Sequence, residues 1–269
     1  MVVNTPILTD GPRGTMRFQN RTVLVTGAAD GIGAAIVTRL LNEGANLLAT
    51  DADATALQRA DAEWRQTSQY NALRTATLDV RDLAACQALL AEFASTTTEG
   101  RLDAVIHSAA VSVPGTVTSV DPAEWRRVVA VNLDGAFHVA RSAIPHLFGG
   151  AMILVASQLG LVGGRDSIAY TATKGALVNM TRSLALDHAA DGVRVCCLCP
   201  GPTHTKFLER SFDRSDNPAR ARAESLAKIP LGRFAEPAEI AAAAAFLASS
   251  DASFITGSVL TVDGGYTAH

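Results

Sequence analysis

The sequence predicts an α/β protein built on one doubly wound, seven-stranded parallel sheet with helices on both faces. Short segments that are apolar throughout alternate with segments of helix length, as in a sheet covered on both sides. Apolar residues make up 48% of the 269 and charged residues only 18%, so burial capacity is high for a chain of this size. Aromatics are 5%, so Ala, Val, Leu and Ile must supply the core, and such small side chains suit helices packed closely on strands.

The elements follow in order from Arg21. Thr22 to Thr26 is a β-branched strand that runs straight into glycines, and a helix is expected over Ile32 to Asn42. Glu43-Gly44 stops it, and Asn46 to Thr50 is the second strand. A helix over Asp53 to Gln66, a strand over Leu73 to Leu78, a helix over Leu83 to Phe93 and a strand over Leu102 to His107 come next. Asp121-Pro122 supplies an N-cap and a first-turn proline for a helix running towards Ile144. Ala151 to Ala156 is the fifth strand, a helix contains Tyr170 to Asp187, and Val193 to Leu198 is the sixth strand. Glu236-Pro237 opens the last helix, and Ser258 to Val262 is the seventh strand. One sheet takes the whole length, so residues 18–269 are expected to form a single domain behind a flexible lead-in over 1–17. Lys206 to Phe234, rich in charge and without a strand signal, is expected to be an irregular substrate lid, because ligands of open α/β sheets bind beyond the carboxyl ends of the strands.

Composition also excludes functions. A formal net charge of −3 gives no basic field for phosphate backbones, and scarce rings give no stacking platform, so nucleic-acid binding is not expected. The longest apolar run, Ile240 to Ala248, is far shorter than the ~20 residues a membrane span requires. Cys196, Cys197 and Cys199 lie in one apolar run and read as core residues of a strand, with Cys86 alone on a helix; no metal site is expected. The cysteines suit a reducing, cytoplasmic setting.

The loop after the first strand reads Thr26-Gly27-Ala28-Ala29-Asp30-Gly31-Ile32-Gly33. Strand, glycine loop, helix and second strand arrive in the order by which a Rossmann-like unit brings a helix N-terminus to a pyrophosphate. Asp51 ends the second strand, 20 residues after Gly31, where a carboxylate can accept both adenosine ribose hydroxyls. Asp51 also suits a plain helix cap. A 2′-phosphate would be repelled by Asp51 and Asp30, so NAD is expected rather than NADP. Further on, Tyr170 and Lys174 form YxxxK, which places both on one helix face. An ammonium beside a phenol favours the phenolate, giving a tyrosine that exchanges protons with an alcohol. Ser157 lies just past the fifth strand, at the ligand-binding edge.

With these residues the chain resembles the short-chain dehydrogenase/reductases of the compact one-domain branch, over about Phe18 to Tyr266. Gly27, Gly31, Ile32 and Gly33 match the cofactor loop, and Asp79-Val80 the pair beside adenine. Asn132 in Val131-Asn132-Leu133 completes a tetrad with Ser157, Tyr170 and Lys174. Pro200-Gly201, Thr203 and Thr205 match the segment at the nicotinamide carboxamide, and Gly257 to Gly265 also fits. The resemblance implies that Tyr170 is the general acid and base. It gives Lys174 the lowering of the phenol's pKa and the nicotinamide ribose. Ser157 would bind the substrate oxygen, and Asn132, through its carbonyl and a water, would link Lys174 to solvent. It also implies a homotetramer.

The chain departs from the family where Asn-Asn-Ala-Gly is usual: it has His107-Ser108-Ala109-Ala110. Ala109 is expected beside the cofactor, and His107 is expected to replace the structural hydrogen bond rather than act as a second base. A small-molecule substrate would meet Ser157, Gln158 and Tyr170, although Gln158 reads equally well as a solvated loop residue. From Lys206 to Lys228 the chain holds Lys206, Arg210, Arg214, Arg220, Arg222 and Lys228 against four acids, so an anionic substrate is an open alternative, with Arg165 a further candidate contact. The expected activity is NAD-dependent hydride transfer between a secondary alcohol and its ketone. The alternatives are an NADPH-dependent carbonyl reductase and a non-catalytic dinucleotide sensor.

Overall fold

A computed structural model describes residues 16–67, 72–97 and 100–268. The parallel strands are β1 (Thr22–Thr26), β2 (Asn46–Asp51), β3 (Leu73–Thr77), β4 (Ala104–His107), β5 (Ala151–Val155), β6 (Arg194–Pro200) and β7 (Val259–Val262). They form a seven-stranded sheet in the order β3-β2-β1-β4-β5-β6-β7. The order reverses between β1 and β4, so a crevice opens there at the carboxyl edge of the sheet. Thr26 and His107, paired in register, end the two strands that flank it.

Alternation along the strands divides the core in two. Val23, Val25, Ile106 and Ile153 point to one face, covered by α1 (Gly31–Asn42), α2 (Ala54–Thr67) and, in chain order the last helix, α9 (Pro237–Ala248). Alanines on α1 and α9 let these two helices pack directly on each other. Leu24, Val105, Leu154 and Cys197 point to the other face, under α3 (Leu83–Ser95), α5 (Gly135–Ala143) and α6 (Ile168–Asp187). The expected elements thus form, with ends shifted by a residue or two.

Two segments differ from expectation. The helix that starts at Asp121-Pro122 does not run evenly to Ile144. After α4 (Pro122–Val129) it widens into a π turn, Ala130–Asp134, before α5. Periodicity cannot reveal one extra residue in a turn, and such turns mark functional sites. The lid is also not irregular. It holds α7 (Lys206–Asp213), capped by Thr205, and α8 (Pro218–Leu226), capped by Asn217 with proline in the first turn. Phe212, Ile229 and Phe234 give the lid a small core of its own, and this short apolar repeat is what a charge-rich reading overlooks.

Most of the lead-in expected over 1–17 lies outside the described residues, but Arg17 is part of the fold. It donates to Glu43 Oε1 and Oε2 at 2.8 and 2.7 Å and reaches Asp251 at 3.4 Å. Glu43, at the end of α1, is only 6% exposed and also pairs with Arg39. Burial alone would raise its pKa, but Arg17 and Arg39 hold it below the ordinary carboxylate range. This stabilisation is present in full above that range and is lost as falling pH titrates Glu43 through its lower folded value. Arg17→Ala should therefore cost about 2 kcal/mol at neutral pH, the worth of hydrogen bonds to a charged group. Urea denaturation should show that deficit shrinking in acid.

Candidate active site

The carboxyl edge of the sheet gathers nearly every residue singled out by sequence. Gly27 (φ 65°) turns the chain immediately after β1. A Cβ there would sit 2.5 Å from the backbone nitrogen of Ala109, so the loops after β1 and β4 are in backbone contact. A Cβ on Gly33 would lie 1.9 Å from Gly27 O, so only glycine lets α1 start this close to the strand. Asp30 caps α1 by accepting from Gly31 N at 2.8 Å, and the next amides, Ile32 and Gly33, lie in the first turn, where N–H groups lack intrahelical acceptors.

The acidic corner is more heavily paired than sequence suggests. Asp51 accepts from Ala29 N and Asp53 N, both at 3.0 Å, so it staples the glycine loop while keeping lone pairs for a ribose. The cap of α2 expected of Asp51 is instead made by Asp53, which accepts from Ala56 N at 2.9 Å, and this leaves Asp51 a candidate ligand. Asp30 is paired with Lys206 Nζ at 3.3 Å, a cation that the lid brings from far along the chain. Arg81 covers both oxygens of Asp79 and holds that carboxyl below its usual range. Val80 is buried, and its carbonyl meets His138 Nδ1 at 3.0 Å. On the opposite wall, Gly201 packs against Asp263 Cα and Thr203 Oγ1 donates to Gly201 O at 2.9 Å. Thr205 caps α7 through Leu208 N at 3.2 Å, and its methyl faces Gly31 across the crevice. A Cβ on Gly31 would lie 3.0 Å from that methyl, so a side chain there would crowd the opposite wall.

The tetrad converges beside this crevice. Ser157 caps a short 3-10 turn, accepting from Leu159 N at 3.1 Å. Lys174 is 2% exposed, donates to Val155 O at 2.7 Å, and lies 5.5 Å from the centre of the Tyr170 ring. Asn132 sits in the π turn. Its side chain accepts from Val111 N at 2.8 Å and donates to Val111 O at 2.9 Å and Thr173 Oγ1 at 3.1 Å. Thr173 in turn donates to Tyr170 O at 2.9 Å, so it links two tetrad members and was not singled out from sequence. Phe207 is also new. Its ring stands 5.8 Å from that of Tyr170, where only the fold of the lid could put it.

The electrostatics correct one expectation. Tyr170 is not held low by Lys174: burial pushes the phenol up to about 12, and only a hydrogen bond with Ser157 pulls it down. The ammonium points at the Val155 carbonyl, and burial brings Lys174 itself down to about 8. His107 is buried and neutral, driven down to about 3 first by burial and then by the charge of Lys174; it bonds Thr26 Oγ1 at 2.9 Å. Gln158 is buried, 5% exposed, rather than solvated, and its Oε1 has no partner among the described residues.

Several of the lid cations are engaged as well. Arg214 bonds Ser112 O at 3.2 Å, Arg220 pairs with Glu224, and Arg222 pairs with Glu209. Arg165 is within electrostatic reach of Glu224. Among the described residues, no three His, Cys, Asp or Glu side chains cluster to hold a metal, and no helix is long and apolar enough to cross a membrane.

Comparison with known proteins agrees with this geometry. The profile of a family described as enoyl-(acyl carrier protein) reductase matches residues 27–267. The meso-2,3-butanediol dehydrogenase of Serratia marcescens is 38% identical over 94% of this chain and 97% of its own. The cis-4-hydroxycyclohexanecarboxylate dehydrogenase of Sinomonas cyclohexanicum is 39% identical over 93% and 98%. The crystal structure of levodione reductase superposes with a TM-score of 0.87 at 32% identity, over 93% of this chain and 99% of that one. With sequence, sheet order and strand-end loops all in agreement, the chain belongs to the short-chain dehydrogenase/reductase family, as an oxidoreductase of CH–OH groups that works with a nicotinamide dinucleotide.

Proposed function

We propose that this protein is an NAD-dependent oxidoreductase interconverting a secondary alcohol and its ketone, with Tyr170 as proton donor and acceptor. The observation that carries the reading is the convergence of Ser157, Tyr170 and buried Lys174 beside the glycine loop. Bound nicotinamide supplies or takes up the hydride. Ile32 and Gly33 amides would hold the pyrophosphate, Asp51 the adenosine ribose, and Asp79, Val80 and Ala109 the adenine side. Pro200, Gly201, Thr203 and Thr205 would line the nicotinamide side, with Lys174 at its ribose. In reduction, the Ser157 hydroxyl donates to the ketone oxygen and the Tyr170 hydroxyl gives it a proton; in oxidation the proton returns. Asn132 fixes the π turn against Val111 and Thr173, which supports a path for solvent protons through its backbone carbonyl to Lys174.

Gln158 Oε1, buried without a partner among the described residues, supports a substrate with a second hydrogen-bonding group, and the pairing of Arg220 and Arg222 with carboxylates supports an uncharged one. Relatives named for butanediol and galactitol act on molecules of that kind. NAD is favoured because a 2′-phosphate would meet Asp51. NADP use has one observation in its favour, the cancelling of Asp30 by Lys206. Four free cysteines, all buried, fit a cytoplasmic setting. A homotetramer of twofold symmetry needs two separate faces, and exposed Phe137 on α5 and Phe254 beside edge strand β7 offer them.

Tyr170→Phe should lower kcat by about 100-fold or more while NADH still binds; an unchanged rate would favour a dinucleotide sensor. At equal concentrations, NAD should support at least a tenfold higher rate than NADP, and the reverse order would overturn the cofactor assignment. Ketone reduction needs protonated Tyr170 and charged Lys174, so its rate should hold at lower pH and fall as pH rises through about 8, where Lys174 loses its charge. Light scattering should report four copies; a monomer would refute the assembly.

A further inference from the structure

His107 is a buried titratable side chain that the mechanism above does not use. It ends β4 at 1% exposure, with Nδ1 on Thr26 Oγ1 at 2.9 Å. Its Nε2 is buried with no hydrogen-bond partner among the described residues. A buried ring nitrogen left in that state is costly, so it calls for a partner.

The fold provides one. The peptide joining Val155 and Ala156 turns its N–H to Leu198 O on β6, so the Val155 carbonyl, trans to that N–H, faces the other way, towards the end of β4. Lys174 Nζ is held by that carbonyl at 2.7 Å. His107 is in register with Leu154, next to Val155, and alternation puts it on the face of Val105, the face covered by α6. The imidazole and the ammonium therefore share one face at adjacent strand ends. An ammonium offers three donors, and the bond to Val155 takes one.

We propose that His107 is a positioning residue for Lys174: Nδ1–H donates to Thr26 Oγ1, and the free Nε2 accepts from one water that in turn accepts from the Lys174 ammonium. His107 then keeps the ammonium protonated and seated under Tyr170 where the family usually has asparagine. Because burial and the nearby ammonium keep the imidazole neutral, it stays an acceptor across the working pH range. The other groups facing Lys174 are Tyr170 on its own helix and Cys197 and Cys199 on β6, with Asp263 acting on Cys199. The inference rests on the assignment of Lys174 to the active site.

Its test is the pH profile of ketone reduction together with a measurement that needs no turnover. His107→Leu removes the acceptor, so the falling limb should move down by about one pH unit, the scale set by a hydrogen bond to a charged group. His107→Gln restores an acceptor at similar reach and should return the limb to its wild-type position. In histidine-15N-labelled protein, Lys174→Met should shift the His107 Nε2 resonance, assigned by its loss in His107→Gln. A folded His107→Leu protein with the wild-type limb, or an Nε2 resonance unmoved by Lys174→Met, would overturn the proposal. Where His107→Leu does not fold, the Lys174→Met spectrum decides. Full activity in Tyr170→Phe would instead overturn the site, and the resonance shift is read independently of that result.

Discussion

The ammonium of Lys174, buried against the end of β5, is the constraint around which the rest of the site is arranged. Taking a charge out of water costs several kcal/mol unless hydrogen bonds replace the lost solvent. The end of a parallel strand supplies such a bond because its last carbonyl has no further strand residue to accept from. Val155 is that residue, and Lys174 reaches it from α6. The same burial that makes the ammonium costly raises the phenol of Tyr170 and lowers Lys174, so both groups are protonated at neutral pH. This state suits the proposed transfer of a proton to a ketone oxygen, and the reverse step would need a phenolate stabilised by the Ser157 hydroxyl and the nearby positive charge.

Around this charge the backbone is packed as tightly as glycine permits. Gly27 touches the chain at Ala109, and Gly33 touches Gly27, so the loops after β1 and β4 act as one wall. The opposite wall is the segment from Pro200 to Thr205, braced on Asp263. Both walls are backbone held by short side-chain bonds, and this fits a chain poor in aromatics.

The strand pattern was legible because each buried strand is apolar along its length, and the glycine loop because its spacing follows a strand directly. Ser157 was legible from its place just past a strand and Tyr170 with Lys174 from their spacing on one helix face, whereas Asn132 came only from the family resemblance. What could not be read depends on contacts through space. Thr173 matters because the π turn carries Asn132 to it, and one extra residue in a turn leaves no periodic trace. Phe207 and Lys206 matter because α7 folds back over the crevice. The caps of α7 and α8, Thr205 and Asn217-Pro218, were visible in the sequence, but the dense charge between them concealed two helices. The protonation of Tyr170 was misjudged for a related reason. Spacing shows which groups are neighbours, whereas burial sets the sign of the shift.

Charge on the lid shows the same limit and bears on selectivity. Counted along the chain, its cations exceed its acids and suggest an anion. In space, Arg220 and Arg222 close on carboxylates, Arg214 on a carbonyl, and Lys206 on the glycine loop. Arg222 also lies over the rings of Phe212 and Phe234, so its charge serves the lid's own core. An anionic substrate would compete with the short pairs of Arg220 and Arg222, 2.7 and 2.6 Å long. Beside Tyr170 the same segment sets an uncharged ring, Phe207, and Gln158 Oε1 is buried without a partner among the described residues. These groups support the proposal of an uncharged, hydroxylated substrate, because a ligand without a donor for that oxygen forfeits a bond that a hydroxyl would make.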